Sequence, residues 1–575
     1  MYVLGISGMA HDPAAALVDE RGVVAAMEET KLERSRNVTG IPLAAIRCCL
    51  DLAGARLADV QCLAVASKPA RTWARRAWLH SRHTPVTQLP SGSYQAKALG
   101  ELSRELNYSQ LLHQLDELLS AKVQHLDHHL CHAASAFFAS SLDRALILTL
   151  DEEGDGRAGL VALGEGKRLR PIRAVSFPHS LGLVFSQITG LLGFTPHRDE
   201  HKTQWLGLSA EPVFESLFLD MFRRKPGELP NLNMRYFHRG LAGRIVFSSN
   251  FYRKVGLDPK LFSGASARTP AGSVPEPIRG QLAASVQQAC ATVVVEIAEA
   301  YRKKTKTNTL CVAGGVFLNP VVVAAIEKAA GFDQVFVQPA AGNEGTALGA
   351  AWLAWHRRAG SVRLPAMKHL YWGPAYSNQE IKQVLDNCKA YYRWHDGEDQ
   401  KLDETIRLLD SGKIVAWFNG AAEFGPRALG NRSLLASPWA PYVQENLNQF
   451  VKHRESFRPF AIAVPAERAD EFFDCTPASR FMATLGTVKP SARSLLQGFF
   501  LPDHRIRLHV VERSVNPAFH RLLERFGERA SAPFLVNTSF NLFSDPLVIR
   551  PRDALRSYFC SGIDALVIGN FTLAK

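Results

Sequence analysis

Four histidines lie within eight positions of the stretch HLDHHLCHAASAF, residues 125–137, and two of them have the spacing of a metal-ligand pair. His128 and His132 are four residues apart, so on a helix both imidazoles project from one face and can reach one point. Asp151 ends the apolar run RALILTL and could add a carboxylate. Two imidazoles and a carboxylate with open positions suit iron, manganese or zinc. The alternative is a polar helix start that binds nothing.

The sequence around these residues predicts strands joined by polar turns. Residues 2–27 contain three short apolar runs separated by turns, and residues 145–172 repeat this pattern around the acidic, glycine-rich turn DEEGDG. The two similar blocks are about 140 residues apart, which indicates an internal duplication. Helices are predicted over 97–120 and 279–304.

Two strand–loop–helix segments follow, at residues 309–329 and 335–356. Each has a glycine-containing loop before the helix, which lets backbone N–H groups approach a phosphate or a nucleotide. The stretch 358–380, rich in Pro, Gly and polar residues, then breaks the pattern. We therefore place a domain boundary near residue 360, with domains 1–360 and 361–575.

Composition narrows the class of protein. The 575 residues are 46% hydrophobic and 21% charged, which suits several buried cores. No apolar run approaches the roughly 20 residues needed to cross a bilayer, and the opening segment lacks a basic signal-peptide region. None of the nine cysteines forms a C-x-x-C pair, so we expect a cytoplasmic protein with reduced thiols. The net charge of +13 could serve nucleic acid, but the basic residues are dispersed and suit phosphorylated small molecules equally well.

Eight motifs, in order from the first residues to the last, together resemble the O-carbamoyltransferases, the family of nodulation protein U, the hydroxymethylcephem carbamoyltransferase and the tobramycin carbamoyltransferase. They are GISGMAHDPAAALV, DHHLCHAASAF, SLGLVFSQITGLLGF, DEHKTQWLGLS, AGGVFLN, EFGPRALGNRSLLASP, KHRESFRPFA and NTSFN.

The resemblance implies an α/β protein with an N-terminal actin/Hsp70-like (Kae1-like) duplicated ATPase-fold domain and a C-terminal YrdC-like α/β domain. In such enzymes the C-terminal domain makes carbamoyl-AMP from ATP and carbamoyl phosphate and releases pyrophosphate. The N-terminal domain transfers the carbamoyl group to a hydroxyl of a small acceptor of the natural-product type, as in antibiotic biosynthesis. The resemblance also implies a divalent metal, iron above all, in the N-terminal domain, and Mg²⁺ with ATP. A homodimer is a further expectation.

The resemblance assigns roles to N-terminal residues. His128, His132 and Asp151 match the family's metal ligands. His11 and Asp12 lie in the first turn and are expected to be catalytic, with a turn histidine bonded to backbone as the alternative. Other matching positions are expected to bind substrate or nucleotide: Lys202, Gly314, Gly315, Asn319 and Asn343.

Two N-terminal positions depart from the family's pattern. Asn343 stands where relatives have an aspartate in a GD-x-G loop, and a neutral amide is a poorer metal ligand; Glu344 or water could replace it. Glu152 stands where relatives usually have a glycine, which adds charge at a position where a phosphate would approach.

The C-terminal motifs concentrate cations. Lys452, Arg458 and Arg507 match the family's carbamoyl-phosphate site and are expected to be catalytic, because converging guanidinium forks fit phosphate oxygens. The expected substrate-binding residues are Arg427, Arg432, Asn537 and Ser539. Arg454 is expected to have a structural role and not to bind substrate. Glu423 could pair with an arginine or help place Mg²⁺. Isolated surface ion pairs, worth about 0–1 kcal/mol each, are the alternative.

Two other functions compete with the carbamoyltransferase. A tRNA threonylcarbamoyl transferase-like RNA-modification enzyme would use the basic charge, but not an attached arginine-rich domain. A non-catalytic ATPase of the actin/Hsp70 fold would not need the histidine pair. Nothing in the acceptor-facing region expected at 210–280 identifies the acceptor.

Overall fold

A computed structural model describes most of the chain as two compact units. The described residues are 1–8, 11–68, 122–222, 225, 227–239, 245–262, 273–358, 362–542 and 545–575. Unit 1 comprises Met1–Gly22, Thr39–Ile41 and Ala55–Ala366, and unit 2 comprises Val23–Val38, Pro42–Gly54 and Met367–Lys575. The helix predicted over 97–120 lies outside the described residues, and the domain boundary near residue 360 stays a prediction.

Unit 1 contains two larger sheets and a two-stranded one. The strands in the first 125 residues are β1 (Tyr2–Ser7), β2 (Ala14–Asp19), β3 (Gly22–Glu28), β4 (Val60–Val65) and β5 (Lys122–His125). Of these, β3 belongs to unit 2 from its second residue onward. Those from 144 to 337 are β6 (Arg144–Gly154), β7 (Arg157–Glu165), β8 (Arg168–Ser176), β9 (Phe237–Arg239), β10 (Ile245–Phe247), β11 (Thr309–Ala313) and β12 (Gln334–Val337).

The two larger sheets repeat one arrangement. In the first, β2 pairs antiparallel with β1, β4 pairs parallel with β1 on its other side, and β5 pairs parallel with β4. In the second, β7 pairs antiparallel with β6, and β11 and then β12 continue in parallel. Strand order and direction therefore recur, as the repeated sequence pattern predicts. β8 extends the second sheet beyond β7.

Helices connect and cover these strands. Those before residue 360 are α1 (Glu29–Leu32), α2 (Leu43–Ala53), α3 (His128–Phe137), α4 (Leu181–Leu191), α5 (Glu200–Leu206), α6 (Glu215–Met221), α7 (Ser249–Lys254), α8 (Pro259–Phe262), α9 (Ile278–Thr305), α10 (Pro320–Ala329) and α11 (Gly345–His356). No helix in the described residues is both long enough and apolar enough to span a membrane.

Helix α11 lies at the centre of unit 1, where its small residues allow close packing. It is buried along its whole length and packs against α3 and β1. A Cβ atom on Gly349 would lie 1.8 Å from the carbonyl oxygen of Cys131, and one on Gly5 would lie 2.0 Å from that of Ala347. Only glycine permits this approach, which holds the histidine helix α3 firmly against the core.

Unit 2 is built on a ten-stranded sheet with the order β13-β22-β21-β14-β15-β20-β16-β19-β18-β17. Its strands are β13 (Arg393–Trp394), β14 (Val415–Phe418), β15 (Arg432–Ala436), β16 (Ala461–Pro465), β17 (Phe473–Asp474), β18 (Leu485–Val488), β19 (Arg505–Val511), β20 (Leu535–Ser539), β21 (Ala565–Ile568) and β22 (Phe571–Ala574). Its later helices are α12 (Asn378–Asn387), α13 (Glu398–Asp410), α14 (Val443–Glu445), α15 (Ala466–Phe472), α16 (Pro517–Gly527) and α17 (Pro551–Phe559).

Both faces of this sheet are buried. In β14, Ala416 and Phe418 belong to one apolar core, and Val415 and Trp417 belong to the other. Successive side chains of a strand point to opposite faces, so the continuous apolar run IVAWF reflects a central strand covered on both sides. The early segment of unit 2 joins this structure through Ala26, whose N–H donates to the carbonyl oxygen of Trp372 at 3.3 Å.

Candidate metal centre and cationic cluster

The first site in unit 1 lies at the start of α3. The side chain of Asp127 caps this helix by accepting the N–H of Leu130 at 3.1 Å. His128 and His132 then follow on one face, and the ring nitrogens Nε2 of both approach Oδ2 of Asp151 in β6, at 3.5 and 3.1 Å. His132 is fully buried. In the described part of the chain, this is the only group of three or more His, Cys, Asp or Glu side chains whose donor atoms lie close enough to share one metal ion.

The electrostatics favour an ionised carboxylate between two imidazoles. Burial alone would raise the pKa of Asp151, but the hydrogen bonds and charges of the two histidines outweigh it and hold that pKa well below its ordinary value. Burial also opposes charge on His128, yet Asp151 raises the pKa of that ring. Burial lowers the pKa of His132. This donor set of one carboxylate oxygen and two ring nitrogens fits a divalent transition metal.

Small residues make room for these groups. A Cβ atom on Gly154 would lie 2.0 Å from Cδ2 of His128, and one on Gly315 would lie 2.9 Å from Oδ1 of Asp151. The backbone N–H of His128 donates to Asp155 at 2.8 Å, which fixes the start of α3. Gly315, predicted to contact nucleotide, therefore lies against the carboxylate of the candidate metal ligand Asp151.

A second group of polar side chains surrounds His11. Its Nδ1 lies 3.0 Å from a carboxylate oxygen of Asp12, and the amide nitrogen of Asn343 lies 3.0 Å from its Nε2. Burial opposes its charge, but the hydrogen bond that the ring donates to Asp12 and the charges of nearby carboxylates, Asp151 among them, raise the pKa of His11 to about 9. The structure thus brings three predicted residues together: His11, Asp12 and Asn343.

His197 lies beside His11, and the sequence analysis did not identify it as a site residue. Its ring centroid lies 5.9 Å from that of His11, and its Nδ1 lies 3.1 Å from Oε2 of Glu152. The hydrogen bond that His197 donates to Glu152 is the main reason that the pKa of His197 is raised. Glu152, which stands where relatives usually have a glycine, therefore pairs with His197 in the structure. No spacing signal could have found it, because His197 is 45 positions away, a distance that only the fold closes.

The remaining predicted residues of unit 1 have contacts of their own. Lys202 pairs with Asp199 at 3.4 Å and lies over the ring of Phe194. Asn319 caps α10 by accepting the N–H of Val321 and donates to Gln287 at 2.7 Å. Gly314 has a φ of 102°, and a Cβ atom there would lie 2.2 Å from the carbonyl oxygen of Leu150. Asn319 and Gly314 thus shape the loop after β11.

The second site, in unit 2, is a group of like charges that we call the cationic cluster. Burial and the charges of its neighbours lower the pKa of Lys452 and of Arg507 well below their ordinary values. Burial, followed by the charge of Arg458, lowers the pKa of Arg454 to about 9. Arg454 and Arg458 are causes of the lowered pKa of both Lys452 and Arg507. Arg427 is a further cause for Arg507. The members of the cluster are Arg427, Lys452, Arg454, Arg458 and Arg507.

The contacts of the cluster include one carboxylate and several neutral oxygens. Arg458 and Glu455 form a long ion pair of 3.9 Å. The ammonium of Lys452 is buried and donates to neutral oxygens, which are the carbonyl oxygen and hydroxyl of Ser539 and the carbonyl and side-chain oxygens of Asn541. Asn541 was missed as a site residue although it closes the NTSFN motif. Arg454, expected to be structural, donates to Asn448 at 2.6 Å but also contributes its charge to the cluster.

Two residues that were predicted to bind substrate donate to backbone carbonyl groups in the structure. Arg432 is fully buried, donates to the carbonyl oxygens of Asn419, Asn431 and Pro374 and lies 3.6 Å over the ring of Phe418. Burial lowers its pKa to about 10. The side-chain amide of Asn537 donates to the carbonyl oxygen of Ala428 and to His509. These contacts fix the loop before β15, which carries Arg427.

Glu423 organises that same loop. One of its oxygens accepts the backbone N–H groups of Leu429, Asn431 and Arg432 at 2.8, 2.9 and 3.1 Å. The carboxylate is fully buried. It was expected to pair with an arginine or to place Mg²⁺, and in the structure it instead serves as a template for the turn.

Comparisons with known proteins agree over both units. The family model of the carbamoyltransferase N-terminus matches residues 2–352, and that of the carbamoyltransferase C-terminus matches residues 406–575. Nodulation protein NolNO of Sinorhizobium fredii is 31% identical over 574 residues, covering 98% of this chain and 79% of the relative. The 3'-hydroxymethylcephem-O-carbamoyltransferase of Amycolatopsis lactamdurans is 32% identical over 263 residues, covering 46% of this chain and 48% of the relative. Among solved structures, HypF of T. kodakarensis matches 61% of this chain and 47% of its own, with a TM-score of 0.31 and 12% identity.

Proposed function

Since this chain belongs to the carbamoyltransferase family, we propose that it is an ATP-dependent O-carbamoyltransferase. In this proposal unit 2 forms carbamoyl-AMP from carbamoyl phosphate and ATP, and unit 1 passes the carbamoyl group to a hydroxyl of a small acceptor. Forming carbamoyl-AMP breaks the bond between the carbamoyl group and its phosphate and the α–β anhydride of ATP. Phosphate and pyrophosphate leave, and one water is consumed.

The cationic cluster is the observation that carries this proposal. Neighbouring cations lower the pKa of Lys452, Arg454 and Arg507, so an anion bound among these groups would be electrostatically favoured. Carbamoyl phosphate and the phosphates of ATP supply such charge, and arginine forks bind phosphate oxygens in pairs. In a partly buried site these fixed cations also stabilise charge that develops as the phosphoryl bonds break.

The groups of unit 1 suit the transfer step. A divalent metal held by His128, His132 and Asp151 would act as a Lewis acid toward the carbamoyl carbonyl. His11, oriented by Asp12, is the candidate to donate a hydrogen bond to the carbamoyl group, because its raised pKa keeps the ring protonated near neutral pH. The proton of the acceptor hydroxyl is released as the new ester bond forms. The acceptor oxygen bonds to the carbamoyl carbon as the bond from that carbon to AMP breaks, and AMP leaves.

The first half-reaction can be tested without knowing the acceptor. The full chain is given Mg²⁺-ATP and labelled carbamoyl phosphate, and pyrophosphate and labelled carbamoyl-AMP are measured. We expect both from the wild type and from His128→Ala, and neither from Arg507→Ala. Arg505→Ala is the matched control on β19, because Arg505 pairs with Asp503. Absence of both products with folded wild-type protein would refute the proposal.

A further inference from the structure

We propose that Lys31, held by Glu28, is a positioning residue for the phosphate-binding site of unit 2. The inference deepens the proposed function and rests on the anion-binding role given to the cationic cluster. Nothing in the sequence pattern singled out Lys31, which lies 421 positions before Lys452. Its role follows from what its ammonium group holds.

The ammonium of Lys31 is buried with all three of its donor hydrogens matched by acceptors. Its Nζ lies 2.8 Å from Oε1 of Glu28 and donates to the carbonyl oxygens of Glu423 and Gly425, each also at 2.8 Å. An ammonium has three N–H donors, so this environment satisfies it completely. No donor is left over for a ligand, which identifies Lys31 as a group that acts through the backbone it holds.

Glu28 completes the clamp from the other side. The same oxygen that pairs with Lys31 accepts the backbone N–H of Gly425 at 2.6 Å. Burial raises the pKa of Glu28, although Lys31 and the N–H of Gly425 oppose this change. Both the N–H and the carbonyl group of Gly425, whose φ is 98°, are thereby fixed. We call Glu28 and Lys31 the clamp.

The clamp and Glu423 together hold both ends of the segment that carries Arg427. The clamp fixes residues 423–425, and the carboxylate of Glu423 fixes the N–H groups of residues 429, 431 and 432. Arg427 lies between these anchors, directly after Pro426. Its charge is the second cause, after burial, of the lowered pKa of Arg507, another member of the cationic cluster.

A restraint of this kind has a physical purpose. Before an anion binds, repulsion between Arg427 and the other cations favours a loop that moves outward. Fixing the loop opposes that movement and keeps the cations converged, so less binding energy is spent on ordering them. A clamp with only a folding role would stabilise unit 2 without affecting how tightly phosphate binds.

The test measures anion binding and turnover separately. The variants are Lys31→Met and the pair variant Lys31→Met/Glu28→Gln, which leaves no unpaired charge in the buried site. The matched control is Lys382→Met, because Lys382 is an exposed lysine of unit 2 paired with Asp386. Affinity for carbamoyl phosphate and for inorganic phosphate is measured by calorimetry, and pyrophosphate release gives KM and kcat.

We expect the pair variant to be folded and to bind carbamoyl phosphate about tenfold or more weakly, with KM raised more than kcat is lowered. Lys382→Met should match the wild type. A folded pair variant with wild-type affinity would overturn the inference. Wild-type protein that binds phosphate but forms no pyrophosphate would refute the proposed function alone, because the calorimetric comparison would still test the clamp.

Discussion

At the scale of single residues, the metal centre depends on three donor atoms that only their side chains supply. We expect His132→Ala to lower the metal content of the purified protein, with affinity reduced by more than about tenfold, because the loss of even an outer partner of a ligand costs about that much. Metal analysis after equilibration with iron, manganese or zinc provides the measurement. His125→Ala is the control in the same stretch, since His125 lies near the carbonyl oxygen of Ser67. Equal metal content in both variants would argue against the site.

A second residue-scale prediction concerns pH. Burial lowers the pKa of His509 from 6.5 to about 3, so the folded state keeps it neutral while the unfolded chain binds a proton. Its contribution to stability is complete above pH 6.5 and is lost as the pH falls from about 6.5 to about 3. The slope for one such group is about 1.4 kcal/mol per pH unit. We expect His509→Asn to show a weaker loss of thermal stability between pH 7 and pH 4.5, and an unchanged slope would contradict this.

Individual site residues were predictable where types and motifs were local. The pair His128 and His132 follows from helical spacing, and Asp151 from its place at the end of an apolar strand; the resemblance matched all three. Lys31 and His197 were not predictable, because a buried lysine and a loop histidine gain their partners from strands and loops far away in the sequence. Arg432 belongs to a motif that the sequence identifies readily. The motif does not reveal, however, that its guanidinium donates to backbone carbonyl oxygens.

At the scale of elements, the approach of β6 to α3 sets the orientation of His128. We expect Gly154→Ala to displace the ring of His128, because the new methyl group would lie 2.0 Å from Cδ2. Crowding of this kind costs about 1–3 kcal/mol, so metal affinity should fall while the fold persists. Circular dichroism and metal titration measure the two effects. The control is Gly397→Ala, where the added Cβ would meet no atom within 4 Å, and equal affinity of both variants would contradict the prediction.

Element types followed from periodicity more reliably than their ends. The apolar runs 2–7, 14–18 and 23–27 predict the first three strands, and the observed ends of β1, β2 and β3 agree within one residue. The helix predicted over 279–304 is observed as Ile278–Thr305. In the histidine stretch, the helix begins at His128 because Asp127 caps it. Caps of this kind depend on one side chain, whereas a strand is specified by several residues at once.

At the scale of the whole molecule, the net charge of +13 and the cationic cluster predict stabilisation by phosphate. Inorganic phosphate should raise the unfolding temperature of unit 2, because a ligand at about 100 times its Kd adds about 2.7 kcal/mol. Sodium chloride at equal ionic strength should have a smaller effect, since it only screens the charges. Lys452→Met should lose the effect of phosphate. Scanning calorimetry measures it, and equal shifts with both salts would contradict a specific site.

Unit 2 takes Val23–Val38 and Pro42–Gly54 from the beginning of the chain and Met367–Lys575 from its end. During translation these early segments leave the ribosome long before the strands they pack with have been made. Domains generally fold as they emerge, from the N-terminal end onward. Here the amino-terminal pieces must wait until the last residues are synthesised, so a gene fragment that starts at codon 367 would encode a domain without the loop anchor supplied by Glu28 and Lys31.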